Sequence, residues 1–208
     1  VPERLQIAVL VSGTGTNLQA LIDSVHGREA DIVAVASSVP DVPALERARA
    51  AGVPAEVFAR SRYSDRHARD LALAAWLEGR GARLVVLAGY MELLGEAFLE
   101  RFPGAVINVH PSLLPAFPGL GAIEQALAYG VKVFGVTVHF VDAGVDTGPV
   151  ILQRAVELGA ARTGAEVLAA LRPLEHSLLC DAVRLFAHDA LKPDPANPRR
   201  ISTGAGEG

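Results

Sequence analysis

The sequence predicts an α/β protein: a single domain on a mostly parallel, twisted sheet with helices on both faces and an antiparallel strand pair near the C-terminal half. Three observations carry this expectation. Apolar runs rich in Val, Ile and Ala recur at 5–11, 32–37, 84–88 and 105–109, as strands buried on both faces require. Helix-like segments at 17–25, 43–51, 65–78 and 93–101 alternate with them, as crossovers between parallel strands do. A chain of 208 residues, 50% hydrophobic and 20% charged, also suits one well-buried core.

Taken in order, the first run ends in a glycine-rich turn, Ser12-Gly13-Thr14-Gly15-Thr16-Asn17. A short strand at 53–58 follows the helix stop at Gly52. After the fourth long strand, Pro111, Pro115, Pro118, Gly119 and Gly121 exclude continuous regular structure. A long loop is expected there, leading to a helix at 123–129, and long loops inside compact domains are usually functional. Strands at 132–141 and 149–156 flank a loop at 142–148 that holds Gly and Asp. A last helix is expected at 163–187, with Pro173 bending it or marking its true start. From Lys192 onward three prolines and three glycines predict a flexible tail at 192–208, leaving 1–191 as the folded domain.

Composition narrows the function. A net charge of −4 argues against nucleic acid as the main partner, because phosphate backbones are held by clustered Lys and Arg. Cys180 is the only cysteine, which excludes an intrachain disulfide and a cysteine zinc cage. Val1-Pro2-Glu3-Arg4 lacks the layout of a signal peptide, and no apolar stretch is long enough to span a bilayer. The expectation is a cytoplasmic protein without membrane partners, with monomer and homodimer both open.

Three stretches could carry chemistry. The turn Gly13, Thr14, Gly15, Thr16, Asn17 between a strand and a helix offers free N–H groups and a helix dipole to an anion. It is not a dinucleotide fingerprint, since Leu18 stands where Gly or Ala is needed, and it lacks the Gly-Lys-Ser/Thr ending of a phosphate-loop NTPase. A tight turn with a helix cap would explain the same residues. At the end of the fourth strand, Asn108 and His110 stand two apart and so share a face. One is a neutral donor and the other a titratable imidazole, a pairing suited to an oxyanion and a moving proton. A structural histidine is the alternative. In the late loop, Asp142 suits a turn former, whereas Asp146 beside His110 would hold the ring in its donor state.

Taken together, Ser12-Gly13-Thr14-Gly15-Thr16-Asn17-Leu18-Gln19-Ala20, Leu87-Ala88-Gly89-Tyr90-Met91, Ile107-Asn108-Val109-His110-Pro111-Ser112-Leu113-Leu114-Pro115, Phe117-Pro118-Gly119, Val136-Thr137-Val138-His139 and Asp146-Thr147-Gly148-Pro149-Val150-Ile151 resemble the phosphoribosylglycinamide formyltransferase family. Each motif is modest, but they occur in order over about residues 5–186. The resemblance implies a Rossmann-like formyltransferase fold and formyl transfer from 10-formyltetrahydrofolate to the amine of glycinamide ribonucleotide, in purine biosynthesis. It implies a catalytic trio of Asn108, His110 and Asp146, with Gly13, Thr14, Gly15, Thr16, Asn17 and Glu175 at the ribonucleotide; Arg172, three residues before Glu175 on the same helical face, is within reach of the phosphate, a surface pair with Glu175 being the alternative. On the folate it places Arg66, Met91, Glu92, Leu93, Leu94, Asn108, Val141, Asp142, Val145 and Asp146. The folate enters as a co-substrate, with no tightly bound cofactor and no metal required.

Some positions depart from the family pattern. Gly121 stands where a polar residue is frequent, Glu92 where arginine is frequent, and Cys180 where proline is common. His139, on an apolar strand, reads as a satisfied core histidine. Activity is expected to fall at low pH as the substrate amine and Asp146 become protonated.

Related activities stay open. A 10-formyltetrahydrofolate hydrolase would keep the trio and use water as acceptor, but would be expected to carry an extra N-terminal domain. A methionyl-tRNA formyltransferase would be expected to carry a basic C-terminal RNA-binding domain. A non-catalytic module that binds a phosphorylated ligand would keep the glycine turn and give the trio no joint role.

Overall fold

A computed structural model describes residues 3–204, and the chain divides into two compact units that meet in sequence at Asn108 and Val109.

The first unit is built on parallel strands in the order β3-β2-β1-β4-β5, namely β1 (Leu5–Val11), β2 (Ala30–Ser37), β3 (Ala55–Val57), β4 (Leu84–Leu87) and the opening residues of β5 (Val106–His110). Val9 pairs with Val35 on one side and Val86 on the other, so β1 is central in this unit. From Ile7 to Val11 it is wholly buried, which its unbroken apolar run requires. The helices α1 (Thr16–Ser24), α2 (Pro43–Ala50), α3 (Arg66–Glu78) and α4 (Glu96–Leu99) fill the crossovers. Asp65 caps α3, its carboxylate accepting from Ala68 N at 2.7 Å.

The helix expected at 93–101 shrinks to the four residues of α4. The reason lies before it: the Leu93 carbonyl and the Gly95 N–H are held by side chains of α3, so neither is free for a helical ladder. A single turn of 3₁₀ helix at Arg60–Arg62 was not expected.

The second unit contains α5 (Ala122–Tyr129), β6 (Val133–Phe140), β7 (Val150–Glu157), α6 (Gly164–Ala187), β8 (Lys192–Asp194) and β9 (Asn197–Ser202). Strands β6 and β7 are antiparallel, as expected, and α6 packs on both and on α5. Pro173 neither ends nor starts α6, which runs through it from a Thr163–Glu166 capping box. Val167, Leu171, Leu178, Leu179, Ala182 and Val183 are fully buried along one face of α6. Burial of that face, at about 1.5–3 kcal/mol for each large side chain, exceeds the ~3 kcal/mol that an interior proline costs.

The flexible tail expected from Lys192 is corrected by the structure. Residues 192–202 form a β8–β9 hairpin, and β9 pairs with β7 at Val150 and Arg200. The prolines do not prevent it: Pro193 lies on the edge strand β8, where a missing N–H is tolerated, Pro195 in the turn, and Pro198 at a break in the β8–β9 register. The Asp194 carboxylate accepts from Ala196 N at 2.8 Å, which closes the turn. Residues 205–208 of that expected tail lie outside the described residues.

Candidate functional site

Strand β5 ends at His110, which is 5% exposed. The β6–β7 loop brings Asp146 to it, with Oδ2 3.3 Å from Nδ1 of His110. The other ring nitrogen, Nε2, lies 2.9 Å from the Phe117 carbonyl. Carboxylate and carbonyl can only accept, so His110 satisfies both neighbours at once only with a proton on each nitrogen.

One turn clasps both members of this pair. Phe117, at φ 52, supplies the carbonyl to His110, and two residues later the Gly119 N–H donates to Asp146 Oδ2 at 2.7 Å. The prolines and glycines at 111–121, which excluded regular structure there, thus build the support of the dyad.

Asp146 has a second histidine. His139, at the end of β6 and 2% exposed, places Nε2 3.5 Å from Asp146 Oδ1, while its Nδ1 donates to its neighbour's carbonyl, Phe140 O, at 2.8 Å. The reading of His139 as a core histidine caught its burial and missed its partner. A histidine that closes an apolar strand two residues before a loop with two aspartates was the available signal. Burial works to raise the Asp146 pKa. The hydrogen bonds from His139 and Gly119 and the charges of His110 and His139 outweigh it and hold the carboxyl at about 2.

Asn108 lies on β5 two residues before His110 and is half-buried. In the same late loop, Asp142 spends its carboxylate locally: Oδ1 accepts from Gly144 N at 3.1 Å and from the Thr147 hydroxyl at 2.6 Å. Val145 is exposed and Val141 half-buried. Arg199 on β9 donates to the Thr147 carbonyl at 2.8 Å, so the C-terminal hairpin holds the loop next to Asp146. Arg172, exposed, and Glu175, half-buried, stand one turn apart on α6. His176 beside them has its pKa lowered by burial and then by Arg172. Gly121, at φ 69, precedes α5 in the left-handed region that suits glycine, which gives the departure at this position a local reason.

In the first unit the glycine turn joins β1 to α1, and Gly15 at φ 72 begins the helix. Arg47 of α2, not singled out from the sequence, donates to the Thr14 carbonyl and to Gln19 Oε1, both at 2.9 Å, and sets a guanidinium beside the turn. A Cβ at Gly15 would fall 2.7 Å from Ala44 Cα. Gly15→Ala is therefore expected to destabilise the fold by about 2–4 kcal/mol, from left-handed strain plus overpacking, measurable by denaturant unfolding.

The segment after β4 is exposed at Met91 and Leu93 and half-buried at Leu94. Arg66 is exposed at the start of α3. Glu92, expected at the folate, turns its carboxylate to Arg69 at 2.8 Å. Among the described residues no cluster of three His, Cys, Asp or Glu is arranged for a metal, and no helix is long and apolar enough to cross a membrane.

The fold and site define an α/β protein of parallel strands joined by crossovers, with an imidazole–carboxylate pair at the C-terminal end of β5, where open α/β sheets bind ligands, and a family model described as formyl transferase matches residues 5–183. The chain belongs to the formyl transferase family. Among its relatives it is similar to the phosphoribosylglycinamide formyltransferase of Bacillus subtilis, 39% identical over 82% of this chain and 89% of that one. A crystal structure of glycinamide ribonucleotide transformylase 1 from Symbiobacterium toebii matches with a TM-score of 0.92 at 45% identity, covering 97% and 95% of the two chains. The trifunctional purine biosynthetic protein adenosine-3 of Drosophila melanogaster is 46% identical over 74% of this chain, which spans only 12% of that protein.

Proposed function

We propose that this protein transfers the formyl group of 10-formyltetrahydrofolate to the amine of glycinamide ribonucleotide. The observation that carries the reading is the His110–Asp146 pair, held by the Phe117–Gly119 turn at the end of β5, in a chain of the formyl transferase family. The names of its relatives supply the acceptor.

The neutral amine nitrogen attacks the formyl carbon, and the carbonyl electron pair moves onto oxygen. Nε2–H of His110, held by the Phe117 carbonyl in this structure, becomes the donor to that oxyanion once the formyl oxygen takes the carbonyl's place. The Asn108 amide is assigned the second hydrogen bond. Asp146 keeps the proton on Nδ1 and fixes the ring. As the tetrahedral intermediate collapses, the C–N10 bond breaks. The proton lost by the amine reaches N10 by way of the dyad, and tetrahydrofolate leaves.

The other roles follow the resemblance. Backbone N–H groups of Gly13, Thr14, Gly15, Thr16 and Asn17 are assigned to the phosphate, with Arg172, and Glu175 to the ribose and glycinamide end. Met91, Leu93, Leu94, Val141, Asp142 and Val145 are assigned to the folate head through their backbone, and Arg66 to its acidic tail. Purified protein given both substrates tests this directly: initial rates should saturate in each. Loss of the formyl group without ribonucleotide would instead identify a hydrolase, and binding without turnover a ligand-binding module.

The pH dependence separates the two groups invoked for the acid limb. With the Asp146 carboxyl at about 2, its titration lies below the range in which the substrate amine takes up its proton. The expectation that both groups shape that limb is revised to the amine alone. A rate profile measured from pH 4 upward, a range set by the ordinary carboxylate value of about 4, should fall toward acid with a single protonation. It should keep its midpoint in Asp142→Asn, which alters a neighbouring carboxylate outside the dyad.

A further inference from the structure

Arg69 on α3 has a side chain that is 0% exposed. A guanidinium removed from water must be fully paired, and Asp70, also buried, takes only part of it: Nε and Nη2 donate to Asp70 Oδ1 at 3.0 and 2.7 Å. The remaining bonds go to one short loop. Nη1 donates to Glu92 at 2.8 Å and Nη2 to the Leu93 carbonyl at 2.8 Å, and the second oxygen of Asp70 accepts from Gly95 N at 2.7 Å. The loop is fastened once more upstream, where Met91 N donates at 2.9 Å to Ser12, whose hydroxyl is itself bonded to Ser38 at 2.6 Å.

The fixed points are thus the backbone of residues 91, 93 and 95. The side chains of Met91 and Leu93 are left outward, 68% and 56% exposed. Beyond the two bonds to Asp70, the guanidinium reaches Glu92 and Leu93 of one irregular loop, whose apolar residues Met91 and Leu93 face solvent. Tyr90, at the start of the loop, has a buried hydroxyl whose pKa burial pushes up to about 12, with Asp70 and Glu92 adding to the rise and Arg69 opposing it.

We propose that Arg69, Asp70 and Glu92 are a positioning unit that preorganises the 91–95 loop as a ledge for the folate co-substrate, and that Glu92 serves this brace instead of touching the folate. The proposal rests on the reading that the ledge meets the folate. Preorganisation lowers the ordering cost at binding, so its loss should show in the KM for folate.

Two variants test it. Glu92→Gln removes one charge from a partly exposed site and should fold. Arg69→Lys keeps the charge and loses the fork that reaches three acceptors at once. The parent protein is first assayed for formyl transfer; absence of transfer there would remove the folate reading and leave the brace itself to be judged by hydrogen exchange. In both variants the amides of residues 91–95 should exchange about tenfold faster, and the folate KM should rise about fivefold to tenfold. The ribonucleotide KM should stay within about twofold, and kcat should change less than the folate KM. Unchanged exchange and folate KM in both variants, or an equal rise in the KM of both substrates, would overturn the proposal.

Discussion

Replacing His110 by alanine is expected to lower turnover of formyl transfer by about 10³-fold while leaving ribonucleotide affinity within about twofold. Two contributions are lost together. A donor aimed at a developing oxyanion is worth about 3–4 kcal/mol, and the path that returns a proton to the departing N10 goes with it. No other imidazole can substitute, because His139 turns its Nδ1 to the Phe140 carbonyl and its Nε2 to Asp146. The fold should survive, since the partners of the His110 ring are loop groups, the Phe117 carbonyl and the Asp146 carboxylate. Steady-state kinetics with each substrate varied, together with a binding titration of the ribonucleotide, checks both halves. A rate within tenfold of the parent would remove His110 from the chemistry.

Asp146→Asn should cost about 10³-fold in kcat as well, for a different reason. The amide preserves size and can still accept from Gly119, but it puts no charge beside the rings of His110 and His139. The ring of His110 is then free to adopt a tautomer that presents a lone pair to the formyl oxygen. A stability effect accompanies the kinetic one, and its sign follows from the depressed pKa. In the unfolded chain an aspartate titrates near 3.9; in the folded protein this one lies at about 2. Its stabilising contribution, on the order of 2 kcal/mol, is therefore fully present above about pH 4 and lost as the pH falls through about 2. Asp146→Asn should lower the urea midpoint at pH 7, and the difference from the parent should shrink as the pH falls toward about 2, where the Asp146 carboxyl takes up its proton. A constant difference across that range would mean that the charge has no part in it.

The parallel half of the fold was legible because its signals are local. An apolar run such as Leu5 to Val11, rich in Val, Ile and Ala and closed by a glycine turn, reads as a strand buried on both faces. The span of the last helix was legible, while its course through Pro173 was decided by tertiary burial, and the tail hairpin was not legible because strand pairing decided it against local preference. At the candidate site, Asn108, His110 and Asp146 stood out by residue type at strand and loop ends. Their partners did not. Nothing in Phe117-Pro118-Gly119 announces that a carbonyl and an N–H two residues apart will clasp the dyad, since backbone groups carry no sequence signal. Arg47 and Arg69 looked like ordinary helix charges until the structure showed what their guanidinium groups hold.

One experiment bears most directly on formyl transfer through the His110–Asp146 dyad: a single turnover with a ¹³C-formyl reduced folate and glycinamide ribonucleotide, following the label. The label should move onto the ribonucleotide nitrogen in step with tetrahydrofolate release, rapidly in the parent protein and about 10³-fold more slowly in Asp146→Asn. Label recovered as formate, or equal rates in the two proteins, would contradict it.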